Sequence, residues 1–228
     1  MATKTFPERF RAEFFSLWRL GVERWKFLAT GALGVVVLGS AVSLWWWQAA
    51  RREGAASLAL AEVNQAFRKQ YPAGFFLPGG EKEEVKPEAL IERYQKVASD
   101  YAGTAAGVEA LLRAGDLEYG AGRYDAAVRS YDGAGGDRRA VIRATALLGK
   151  GYALLAKGDG AGAVAAFGQA AEAAPKDPVA AEAYLAQGRT LETLGKREEA
   201  LRAYAEVTGR FPGTSWAQQA NERTAAFR

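Results

Sequence analysis

The chain of 228 residues has no cysteine, no histidine, one methionine and seven prolines. Without cysteine there can be no disulfide, no thiol nucleophile and no zinc site of the Cys/His type. Without histidine the usual general base near neutral pH is also missing. An enzyme would have to work with Asp, Glu, Lys and Ser, so the composition points to a non-enzymatic protein without a cofactor or metal. Neither sign of charge dominates. The net charge is +4, but residues 1–26 hold six Lys/Arg against three acids, leaving 24 against 23 in the remainder. A nearly neutral remainder gives no electrostatic case for nucleic acid. No feature of the chain calls for a small-molecule substrate.

Two patterns that resemble chemical motifs dissolve on inspection. Gly158, Gly160 and Ala163 have dinucleotide-loop spacing, but Leu154, Leu155 and Lys157 before them read as helix, whereas that motif requires a strand. The acidic pairs Glu83 with Glu84 and Glu198 with Glu199 are adjacent in sequence. On a helix such neighbours do not face each other, so they read as solvated surface rather than as an acid/base dyad.

What the chain does have is a period. Tyr94, Tyr131, Phe167 and Tyr204 follow one another at spacings of 37, 36 and 37 residues. Gly115, Gly151 and Gly188 keep the same step, as do Gly122, Gly158 and Gly195, and Ala127, Ala163 and Ala200. A fixed period of this length signals a helical repeat array. Each unit reads as helix, glycine-containing turn, helix, with small residues where two helices approach and an aromatic filling the gap. Terminal prolines, Pro175 and Pro212, close the last two units, while Arg139 stands at that position in the unit ending at Tyr131. The ends also match: Tyr94, Val97, Tyr101, Gly103 and Thr104 reappear 110 residues later as Tyr204, Val207, Phe211, Gly213 and Thr214. This spacing resembles the tetratricopeptide repeat. It implies an all-α fold: a tetratricopeptide-type α-solenoid of about three and a half repeats, with residues 105–212 as the core array and 213–228 as a capping helix.

A different kind of segment precedes the array. Residues 27–47 carry no charge, and at about 1.5 Å per residue they span roughly 30 Å, one hydrocarbon thickness. Trp18 and Trp25 lie before this run and Trp45, Trp46 and Trp47 at its end, where indole rings favour the headgroup region. A single transmembrane helix is expected. A cleavable signal peptide fits less well, because the run is long and Gln48, Ala49 and Ala50 form a poor cleavage site. Arg9, Arg11, Arg19, Arg24 and Lys26 precede the run and only Arg51 and Arg52 closely follow it. That bias keeps the N-terminus cytoplasmic and the repeats outside. Within residues 1–26, Phe10, Phe14 and Trp18 share one helical face. This stretch either lies on the membrane surface as an amphipathic segment or extends the spanning helix.

Residues 48–104 are expected to form a first helical hairpin, one arm over 55–70 and the other over 87–101, interrupted by an insertion at 71–86. Phe75 and Phe76 make the insertion apolar at its centre, so it either covers the first hairpin or presents a contact surface. In the tetratricopeptide pattern the exposed inner positions fall on Glu109, Asp116 and Tyr119, then Thr145 and Tyr152, then Glu182, Arg189 and Glu192. The candidate partner-binding residues are therefore Asp116, Tyr119, Tyr152, Arg189 and Glu192 on the inner face, with Phe75 and Phe76 on the insertion. Mixed charge and aromatic groups of this kind suit an extended peptide or a partner helix.

The whole layout combines a short basic segment, one span, a helix carrying Arg52, Ala56, Leu58, Ala59, Ala61 and Ala66, and a small repeat array. It resembles the YfgM-like family of bacterial inner-membrane proteins. The resemblance implies a single-pass protein with a periplasmic repeat domain, acting as an ancillary subunit of the Sec translocon beside a periplasmic chaperone. A scaffold for another envelope assembly or secretion machine is the alternative.

Overall fold

The computed structural model describes residues 6–71 and 87–227; within residues 6–28 it describes the side chains of Trp18 and Trp25 only. Helices account for nearly all of it, with no strand among the described residues. The first, α1 (Phe6–Gln70), is 65 residues long. It starts before the apolar run, at Phe6, and continues unbroken past it, so neither end of that run coincides with a helix terminus. The insertion at 71–86, with Phe75 and Phe76, lies almost wholly outside the described residues. The chain divides into two compact units at Arg51 and Arg52.

In the first unit every residue from 29 to 50 is exposed, including Leu33, Val35, Val36, Val37 and Leu38. An uninterrupted apolar surface of this kind is costly in water and suits a hydrocarbon environment. α1 is the one described helix long and apolar enough to cross a membrane. At the end of the run Trp45 and Trp46 meet edge to face at 5.7 Å, and the Arg51 guanidinium lies 4.1 Å over the Trp47 ring.

The second unit is a stack of antiparallel helices. Residues 52–70 of α1 pack with α2 (Glu88–Asp100). Then follow the pairs α3 (Ala105–Gly120) with α4 (Tyr124–Ala134), α5 (Ala140–Ala156) with α6 (Gly160–Ala173), and α7 (Pro178–Thr193) with α8 (Arg197–Arg210). A lone helix, α9 (Ser215–Ala225), closes the array. From α2 onward each helix touches its sequence neighbours, and α3, α5, α7 and α9 also touch in series. Such nearest-neighbour stacking defines a solenoid.

The periodic residues account for this geometry. A Cβ added at Gly151 would lie 2.4 Å from the Phe167 ring, and one at Gly188 would lie 2.4 Å from the Tyr204 ring. The Tyr131 ring is held between two glycines, 2.7 Å from a Cβ added at Gly115 and 2.6 Å from one at Gly149. Each aromatic therefore occupies space that any side chain on the facing helix would fill. The turn inside each pair uses a left-handed glycine, as at Gly158 (φ 87°) and Gly195 (φ 73°), a conformation that costs other residues about 1 kcal/mol or more. Caps start the helices: Thr104, Asp159, Asp177 and Thr214 accept hydrogen bonds from the backbone N–H of Gly107, Gly162, Val179 and Ala217. In the closing end Trp216 is half-buried against the cluster of Tyr204, Val207 and Ala220.

Candidate functional site

The first helices of successive pairs line one face of the solenoid, and their polar positions project from it. Two adjoining hollows open there. One, of about 470 Å³, is lined by Glu109, Arg113, Asp116 and Tyr119 of α3 and by Ile142, Thr145, Leu148 and Tyr152 of α5, with Leu112, Tyr131 and Arg139 also in the wall. The other, of about 410 Å³, lies between Phe67 of α1, Tyr94 of α2 and the α3 residues Arg113, Asp116, Leu117 and Tyr119. Arg113, Asp116, Tyr119 and Tyr131 belong to both, so the inner face of α3 forms a ridge between them.

The same residues that pack the repeats reach through to this surface. Tyr131 Oη donates to Asp116 Oδ1 at 2.8 Å, Tyr94 Oη to Asn64 Oδ1 at 2.7 Å, and Tyr204 Oη to Glu192 Oε2 at 2.9 Å. Phe167 has no hydroxyl. In its repeat Tyr152 packs edge-on against the Phe167 ring at 5.1 Å and donates to Glu182 Oε1 at 3.1 Å. Burial, followed by the neighbouring carboxylates, pushes the hydroxyls of Tyr131, Tyr152 and Tyr204 well above the ordinary tyrosine value. They therefore stay protonated and act as fixed donors.

Asp116 is the central acid of the ridge. Its side chain keeps contact with solvent at the mouth of the hollows. Their carbon-rich walls nonetheless strip enough hydration from it to raise its carboxyl above the usual value, against the opposing pull of the Tyr131 hydroxyl and Arg113. Neither of the hollow's two guanidiniums closes on Asp116. Arg113 lies 3.9 Å from Glu109, and Arg139 grips Asp137 through Nε at 2.9 Å and Nη2 at 3.1 Å. Tyr119 stands half in solvent, its ring 5.6 Å from that of Tyr124.

Of the residues expected at the site, the structure brings Asp116, Tyr119 and Tyr152 together in one hollow, with Glu109 and Thr145 beside them. Arg189 and Glu192 lie elsewhere on the inner face and bond within the molecule. Arg189 Nη2 donates to Gln219 Oε1 at 2.5 Å, and Glu192 faces Arg223 at 3.6 Å. Phe75 and Phe76 lie outside the described residues. Sequence reasoning missed Arg113, Phe67 and the second role of Tyr94 and Tyr131. Arg113 was within reach, since it follows Glu109 by four residues and so shares its face. The reach of Tyr131 to the surface was legible only in the acid at Asp116, on the helix its ring packs against.

Residues 182–214, one full repeat from α7 to Thr214, match the tetratricopeptide repeat. Together with the nine helices of the described residues, this makes the fold an all-α solenoid of tetratricopeptide type. Among solved structures the chain is similar to the crystal structure of MamA, with a TM-score of 0.48 and 22% identity, covering 66% of this chain and 87% of that one. No curated protein matches the chain.

Proposed function

We propose that the protein is a membrane-anchored, non-enzymatic scaffold that holds an extended segment of another protein across the inner face of α3 and α5. The observation that carries this reading is the pair of adjoining, aromatic-walled hollows that share Arg113, Asp116, Tyr119 and Tyr131. Their size suits one or two side chains each, and their mixture of apolar wall and a few polar groups is what peptide grooves use. The exposed apolar stretch of α1 supports the anchor. The excess of Lys and Arg before that stretch supports a cytoplasmic N-terminus and repeats on the periplasmic side. The layout shared with YfgM-like proteins favours partners at the Sec translocon or a periplasmic chaperone.

Photo-crosslinking in intact membranes from position 152, followed by identification of the adduct, tests the reading. A specific adduct with a translocon subunit or chaperone is expected. An adduct with a component of another envelope machine would keep the scaffold and replace the partner, whereas no adduct from 119 or 152 would remove the groove from the account. Protease treatment of spheroplasts should digest the repeats, and full protection would reverse the topology.

A further inference from the structure

The ridge between the hollows holds one carboxylate that forms no ion pair among the described residues. Asp116 accepts the Tyr131 hydroxyl through Oδ1. No Lys or Arg nitrogen forms an ion pair with it among the described residues. Arg113, three residues earlier, is turned to Glu109, and Arg139 is closed on Asp137. Around Asp116 stand the rings of Tyr94, Tyr119 and Tyr131. Tyr94 and Tyr131 are buried in the core with their hydroxyls committed to Asn64 and Asp116, so the half-exposed Tyr119 ring is the one left to meet a ligand. A carboxylate beside one accessible aromatic ring is an arrangement that recognises a cation, by charge-assisted hydrogen bonding and by cation–π attraction together.

Resting on the peptide-groove reading above, we infer that this ridge receives a single lysine or arginine side chain from the bound segment, with Asp116 as its counter-ion and Tyr119 as its platform. The flanking hollows then take an apolar side chain on each side. Neighbouring helices of the stack lie about 8–10 Å apart, which sets the separation of hollows on either side of α3. Side chains on one face of an extended chain recur every second residue at about 3.3 Å per residue. The shortest arrangement that places two apolar anchors and a cation between them on the same face is apolar-x-basic-x-apolar, whose anchors lie about 13 Å apart and so span the width of α3. The bound segment is therefore basic at its centre and is not an acidic tail or a free C-terminal carboxylate.

Fluorescence anisotropy with the full chain in nanodiscs tests this, using a labelled peptide containing Phe-Ser-Arg-Ser-Phe and its citrulline counterpart, which keeps the shape but loses the charge. The arginine peptide should bind about tenfold more tightly, the difference that about 1.4 kcal/mol produces. Asp116→Asn should abolish that preference while leaving the citrulline peptide unaffected. Arg113→Gln should enlarge the preference, because it removes the competing cation, and this second variant gives a gain that misfolding cannot mimic. Equal binding of the two peptides to the unaltered protein would overturn the inference and leave the groove reading standing. Binding of neither peptide would overturn both. Displacement of the arginine peptide by spermidine or arginine amide at concentrations as low as its own Kd would identify a small-cation site instead, against the inference.

Discussion

The inner face of the solenoid repeats one plan at α3, α5 and α7, and its two ends turn out differently. Asp116, Tyr152 and Arg189 occupy the same repeat position, as do Tyr119, Leu155 and Glu192. Around α3 and α5 these positions surround open hollows. Around α7 the corresponding groups turn to α9, where Arg189 meets Gln219 and Glu192 meets Arg223. The glycine and aromatic framework beneath is the same in both places. What separates a surface available to a ligand from a surface used for internal closure is therefore the residue at two variable positions, together with what the next helix offers them.

The comparison breaks most completely if the shared framework is removed. Phe167→Ala deletes a ring with no solvent exposure that fills the space above Gly151. It should cost about 3–5 kcal/mol, read from urea denaturation of the repeat unit. A loss below about 1 kcal/mol would mean that the rings do not wedge the helices apart.

A smaller effect is expected where one repeat departs from the others inside the core. Glu118 is buried, and its carboxylate accepts from Gln95 Nε2 and Ser130 Oγ, each at 2.6 Å. The equivalent positions hold Leu154 and Leu191. Glu118→Ala strands two donors and should cost about 1–3 kcal/mol, measured in the same denaturation experiment. Unchanged stability would show that Gln95 and Ser130 find other partners.

The open and closed ends should then separate by binding rather than by stability. Tyr119→Ala should change stability by no more than about 0.5 kcal/mol and abolish crosslinking to a partner from position 152. Arg189→Ala should leave that crosslink intact. If Arg189→Ala removes the crosslink and Tyr119→Ala does not, the binding face lies at the other end.

The smallest expected effects are on pH dependence, and two aspartates should act in opposite directions. Asp137 is held below the ordinary value of 3.8, first by its side-chain hydrogen bond with Arg139. Its contribution to stability is thus present above 3.8 and lost as pH falls through the lowered folded value. Asp116 is raised, so it opposes folding above its folded value, and this penalty disappears as pH falls below 3.8. At neutral pH Asp137→Asn should lower the denaturation midpoint and Asp116→Asn should raise it slightly. Both differences should vanish in acid, and two shifts of the same sign would contradict the assignment.

The framework was readable in the chain because its residues are constrained by geometry that repeats. Gly151 and Gly188 are small for the same reason, and Phe167 and Tyr204 are large for the complementary one. The helical nature of residues 55–70 was readable from their alanine-rich apolar pattern and that of 87–101 from Pro87 at a first helical turn, whereas the continuity of α1 through residues 47–55 was not, since Gly54 reads as a weak breaker and helix propensity alone does not outweigh it. At the site, Asp116, Tyr119 and Tyr152 were legible because repeat register places them on the inner face. The engagement of Arg189 and Glu192 was hidden, because it depends on Gln219 and Arg223 of α9, a helix without a full repeat of its own to set its register.

Trp216 offers a practical return from the fold. It sits half-buried on the closing helix, and the other five indoles all lie at or before Trp47. Once the segment through Trp47 is cut away, the remaining domain carries a single tryptophan, stationed at its terminal lid. Its emission would redden when that lid frays, and a shift preceding the collapse of helical circular dichroism would time the loosening of one end separately from the melting of the stack.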